Sequence, residues 1–184
     1  MRFDEFVRET EIVVTPVERF AGFRVEVGIP AGWEPFDADV GVRIWACSND
    51  PCIETFCANA VLTMHRVESA LDPGETFAML AEQQLQSVPG AHEVGREIAE
   101  ATEGAGVTSL LAMQIADVLG TIDSVSRSRI IRTEEETMIA QLTVTALHDS
   151  PVDRTQVWLT VQPATVTGLA PVGSHGGGDF EERR

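Results

Sequence analysis

The chain has 184 residues, 43% of them apolar, and a formal net charge of −16 with no lysine to offset it. That length suits one domain with a real core. The acidity excludes nucleic acid and anionic membrane surfaces as natural partners, because both carry dense negative charge. The first elements are short. Phe3, Phe6 and Val7 fit a helix, and Ile12 to Val14 read as β. Phe23, Val25, Val27 and Ile29 alternate with Arg24, Glu26 and Gly28, the period-2 pattern of a half-buried strand. Pro30-Ala31-Gly32 then turns the chain, and Trp33 is expected to cover the edge of the core. Val42, Ile44 and Ala46 alternate with Arg43, Trp45 and Cys47 in a second strand. Ser48-Asn49-Asp50-Pro51 is a loop signal, and Ala60 to Val67 is a third strand.

Asp72 can cap the next element. Pro73 fits the first helical position, and Glu75 completes a capping-box-like arrangement. Phe77, Leu80, Ala81 and Leu85 recur at helical spacing, so one face of this helix is apolar; Pro89-Gly90 ends it. The remainder reads as β. A short strand is expected within residues 94–101, a turn at 103–106, and long strands over 107–118 and 121–132. Thr133-Glu134-Glu135-Glu136 is a charged hairpin tip. Met138, Ala140, Leu142, Val144 and Ala146 then share one face, with Gln141, Thr143 and Thr145 on the other. After a loop at 148–154, Val157, Leu159 and Val161 suggest a final strand. Residues 1–168 are expected to form a single domain. Residues 169–184, glycine-rich and then charged, are expected to be a disordered tail.

The sharpest local feature is the cysteine set. Cys47, Cys52 and Cys57 sit five residues apart around one loop. Zinc sites offer closer pairs with further ligands, and His65 lies on a strand, so no metal is expected; a disulfide remains open if the protein is exported. His65, His92, His148 and His175 are scattered and stand in no catalytic motif. No catalytic set and no cofactor is therefore expected. Arg127 and Arg129 lie at strand spacing on one face, with Ser126 and Ser128 opposite. They make a local basic spot that can hold a carboxylate or a partner's acidic loop, or pair with acids on neighbouring strands. Trp33, Phe36 and Trp45 can line an apolar cleft or pack at the core edge. Trp33, Trp45, Arg127 and Arg129 are thus the candidate ligand- or partner-binding residues.

The run Gly28-Ile29-Pro30-Ala31-Gly32-Trp33, then Asn59-Ala60-Val61, then Asp72-Pro73 before a helix, resembles the LpqN-like lipoprotein family of actinobacteria. The resemblance covers roughly Phe23 to Leu147. It implies a PsbP-like α+β fold, a mainly antiparallel sheet with helices packed on its faces. It also implies an accessory or binding module of the cell envelope, and it brings no catalytic residues. The resemblance implies a lipoprotein signal and a final helix, whereas this chain's own residues lead to the expectation of no leader and of a core that ends in a strand-like run. As written it is expected in the cytoplasm, or in the envelope if a leader has been removed.

The function expected from these features is non-catalytic: an accessory protein that binds a protein partner. A basic partner suits so acidic a surface, and no membrane span is expected. The alternatives are a carrier of a small apolar or glycolipid-like ligand, and an enzyme of unknown type using the cysteine loop.

Overall fold

The computed structural model of the protein describes residues 1–102 and 106–164. The turn expected at 103–106 falls largely outside the described residues, and the tail expected at 169–184 falls wholly outside them. In chain order the elements are α1 (Phe3–Thr10), β1 (Val14–Pro16), β2 (Phe23–Gly28), β3 (Trp33–Phe36), β4 (Val42–Cys47), β5 (Asn59–Val67) and α2 (Pro73–Ser87). They continue with β6 (Ala91–Glu100), β7 (Val107–Asp117), β8 (Gly120–Arg132), β9 (Thr137–Leu147), a 3-10 turn (Arg154–Gln156) and β10 (Trp158–Pro163).

The α+β architecture expected from the sequence is observed. One antiparallel sheet runs β3-β4-β5-β9-β8-β7-β6, and β1 pairs with the far end of β5. β9 lies at its centre, and its alternation sends two sets of side chains to opposite faces. Ile139 joins Phe3, Val67, Phe77, Ala81, Leu111 and Ile130 in the core beneath α1 and α2. Met138, Ala140, Leu142 and Val144 join Ala60, Leu62 and Met64 in a second core on the opposite face.

Both helices lie on the first face. The second face is closed by a two-stranded ribbon of β2 and β10, in register from Trp158 opposite Gly28 to Pro163 opposite Phe23. The ribbon's own alternation explains this. Val25, Val27, Leu159 and Val161 turn toward the sheet, where burial of each aliphatic side chain stabilises by about 2 kcal/mol. On its outer side, the Trp158 indole lies over Gly28. A Cβ at Gly28 would fall 1.9 Å from the indole Cε2, so the strand needs a glycine there.

α2 begins with the predicted Asp72 cap and Pro73 in its first turn, without a return hydrogen bond from Glu75 among those observed. The Asp72 carboxylate accepts from the Glu75 amide at 2.9 Å, which satisfies one of the free N–H groups of the first turn. Phe77 and Ala81 are buried against the sheet. Beyond the helix, Gly90 has φ +78° and its backbone closes on Ala116, whose carbonyl oxygen would lie 2.6 Å from a Cβ.

One strand was not expected, and a second shows which of its faces is covered. β3 follows the Pro30-Ala31-Gly32 turn and edges the sheet, pairing Trp33 with Cys47 and Pro35 with Trp45. On β4 the apolar set Val42, Ile44 and Ala46 does not face the larger core. Arg43 pairs with Leu62 and Trp45 with Ala60, which places Arg43, Trp45 and Cys47 on the ribbon face. The reason is coverage: the ribbon reaches over β4, while the helices pack further along the sheet.

Candidate ligand- and partner-binding sites

The four candidate residues all project from the ribbon face. Trp33 and Trp45 are diagonal neighbours on β3 and β4, half-buried and packed against the ribbon core. Trp33 also touches the small cluster of Cys47, Ala58 and Ala146. Phe36 shares the opposite face with Ile44, because period 2 separates it from Trp33, and it is 58% exposed. The three aromatics therefore do not line one cleft. Arg127 and Arg129 lie on β8, opposite Leu142 and Ala140 of β9. With β5 and β9 between them, the strands of Trp45 and the two arginines are about 14 Å apart across the sheet, Trp33 lies one strand further out, and the ribbon core fills the space between.

Arg129 is buried, and Arg127 is half-buried. Arg127 Nη1 donates to the Arg154 carbonyl at 3.5 Å. Burial works against the charged form of Arg127, while Asp153 favours it. Nearby, Arg154 pairs with Asp123 at 3.2 Å, and His148 lies 3.1 Å from the same carboxylate. Two open clefts flank Arg127. One, of about 280 Å³, lies between Leu110 and Leu159; the other, of about 330 Å³, is bordered by Val94, Val125 and Val152.

The helix face carries a site that the sequence did not single out. Ser124, Ser126 and Ser128 are all buried beneath α2. Gln84 reaches down from the helix, donating to Ser126 Oγ at 3.0 Å and to Gln141 Oε1 at 3.3 Å. Ser126 and Thr143 share a hydrogen bond of 2.8 Å, and Gln141 donates to Ser128 at 3.0 Å. Gln84 Oε1 is buried with no hydrogen-bond partner among the described residues.

This network adjoins a cleft of about 430 Å³ between the helix pair and the sheet. Phe3, Val7, Val14, Leu80 and Ile139 give it apolar walls, Thr63, His65, Gln83 and Gln141 give it neutral polar ones, and Asp4, paired with Arg2, stands at the wall formed by α1. Gln83 also ties the helices together, accepting from the Asp4 amide at 2.8 Å. Burial pushes the His65 imidazole below its ordinary pKa, so the ring is neutral at pH 7. One sequence signal for this site existed: Gln84 stands seven residues after Phe77, on the helix face that is otherwise apolar.

The cysteines are held by the loop between β4 and β5. Cys47 is buried and donates to Asn49 Oδ1 at 3.0 Å, and burial raises its thiol pKa. Cys57 Sγ lies 3.8 Å from the Cys47 carbonyl. Among the described residues, no group of three or more His, Cys, Asp or Glu side chains is arranged to hold a metal.

Residues 1–165 match the family model Lpp-LpqN, described as probable lipoprotein LpqN. The chain belongs to that family. The crystal structure of LpqN from Mycobacterium tuberculosis, described as involved in cell envelope biogenesis, superposes with a TM-score of 0.67 at 16% identity. The match covers 89% of this chain and 98% of that one, and the two share a fold. The Saccharomyces cerevisiae Ran-binding protein Mog1p gives a TM-score of 0.40 at 11% identity, over 73% of this chain and 78% of that one. No curated protein matches this Lpp-LpqN member by sequence. Among its described residues, no helix is long and apolar enough to cross a membrane.

Proposed function

We propose that this LpqN-family protein works by binding rather than by catalysis, and that it holds an uncharged amphipathic ligand between its helices and its sheet. The carrying observation is the chemistry of the helix-face cleft. Its volume of about 430 Å³ lies within the range of small-molecule sites. One side is apolar, and the other offers amide, hydroxyl and neutral imidazole groups; the carboxylate on its wall, Asp4, is already paired with Arg2 and Arg8. The raised Cys47 thiol supports the non-catalytic part of the reading, since burial disfavours the thiolate that a nucleophile needs. The likeness to LpqN, described as involved in cell envelope biogenesis, supports an accessory role in that process.

The test uses octyl glucoside as an uncharged amphiphilic probe, followed by methyl shifts of Leu80 and Ile139. Saturable shifts that vanish in Leu80→Trp, with an unchanged thermal midpoint, are expected. Binding that survives this block overturns the site. Hydrolysis of an ester or glycoside panel, lost in Cys57→Ala or His65→Ala, overturns the non-catalytic reading.

A second reading is docking of a protein partner. It is favoured by the β7–β8 hairpin tip, where Val118 is 100% exposed beside Leu119. Capture of a partner that is lost in Val118→Asp and retained in Leu80→Trp would support it.

A further inference from the structure

We infer a second binding site on the opposite face of the sheet: a groove between β10 and the free edge of β6 that takes an apolar monocarboxylate, its head paired with Arg127. Both clefts of the ribbon face include Arg127 in their walls, so the guanidinium stands where they meet. Leu110 and Leu159 form aliphatic walls on one side of it, and Val125 and Val152 on the other. These surfaces suit an alkyl or similarly apolar chain.

Among the described residues the charge on Arg127 has no carboxylate in direct contact, and Asp153 acts on it only from further away. The guanidinium's hydrogen bond is to the Arg154 carbonyl at 3.5 Å, and among the described residues no carboxylate oxygen lies within 4.0 Å of it. The acids nearby are already engaged. Asp123 is taken by Arg154 at 3.2 Å and by Gln114 at 3.1 Å. Asp153 accepts from the Thr155 amide at 2.9 Å and from its hydroxyl at 2.6 Å. A half-buried guanidinium in this setting gains most from a carboxylate that offers two oxygens in one plane.

The surroundings also limit the ligand to one negative charge. Glu97 lines the first cleft and Asp153 the second, and the whole chain carries a net charge of −16. A phosphate dianion would place its second charge against them. This groove and the cleft beneath α2 lie on opposite faces of the sheet, so either can fail without the other.

The experiment titrates the protein with sodium octanoate, 1-octanol and octyl phosphate, following methyl shifts of Leu110, Val125 and Leu159. Octanoate is expected to shift these methyls and to bind more tightly than either analogue. Arg127→Gln should weaken octanoate by about tenfold or more while leaving octanol unchanged, the loss expected for one charge-assisted hydrogen-bonding pair. Leu110→Trp keeps the arginine and fills the groove, and should abolish octanoate binding with little change in thermal midpoint. Shifts confined to Leu80 and Ile139, equal affinity for octanol and octanoate, undiminished affinity in Arg127→Gln, or no binding at all would overturn the site.

Discussion

Ser150 Oγ donates to Asp50 Oδ1 at 2.9 Å, joining two loops that are 100 residues apart in the chain. The same carboxylate accepts from the Cys52 amide at 3.0 Å and the Ala58 amide at 3.3 Å. Asp50 is 2% exposed. The loop that carries Cys52 and Cys57 therefore takes its shape from a buried acid. Asp50→Ala should cost about 3 kcal/mol, because it leaves two amides and a hydroxyl without their acceptor; Ser150→Ala should cost about 1 kcal/mol. Urea melts of the two variants check this ordering, and equal costs would show that the amide contacts contribute nothing.

The start of α2 separates a cap from a core contact. Asp72→Ala removes the acceptor of the Glu75 amide and should cost about 1 kcal/mol. Phe77→Ala opens a cavity against Ile130 and Ile139 and should cost about 4 kcal/mol. Denaturant midpoints measure both, and a Phe77 variant no weaker than the Asp72 variant would contradict the packing.

Gly28 and Trp158 should behave as a coupled pair. Gly28→Ala pushes the indole off the ribbon, so tryptophan emission should shift to the red and stability should fall by about 1–3 kcal/mol. In a Trp158→Ala background the same change should be nearly neutral. A double-mutant cycle measures the coupling, and additive effects would remove the close approach as the cause.

His65 predicts a pH dependence. Burial lowers its folded pKa below the ordinary value of 6.5, so the unfolded chain binds the proton more readily. Its contribution to stability is complete above that unfolded value. The contribution declines as the pH falls below 6.5 toward the lower folded value. Comparing thermal midpoints of the wild type and His65→Gln between pH 7.5 and pH 5 isolates it, in roughly the range where an unperturbed histidine titrates. The wild type should lose more over that span; parallel curves would count against a buried neutral ring.

Much of this architecture is legible in the sequence where one physical signal dominates. α2 is marked by its cap, its proline and its apolar spacing, and β9 by strict alternation. β3 is not legible, because Pro30, Gly32 and Pro35 carry turn signals that outweigh four residues of edge strand. The covered face of β4 is not legible for a different reason. Val42, Ile44 and Ala46 alternate with Arg43, Trp45 and Cys47, and alternation alone cannot say which side of a two-sided sheet is covered; Trp45 and Cys47 face the ribbon. Arg127 and Arg129 were visible as a pair; that Asp123 and Asp153 are engaged elsewhere depends on loops whose path no local pattern fixes. The helix-face cleft escaped because its polar residues come from α1, α2, β5 and β9, each unremarkable alone.

The ribbon also sets an order of events in the cell. β2 ends at Gly28, and the strand it pairs with begins at Trp158. A nascent chain can form the β7–β8 and β8–β9 hairpins as they emerge, but until the last strand is made, one side of the sheet stays bare, with Leu62, Leu142 and Val144 wet. Such long-range closure is slow, and the uncovered intermediate is prone to associate with its own copies. Synthesis that stalls before residue 158 would therefore yield a species with a sticky plane rather than a shorter version of the native protein.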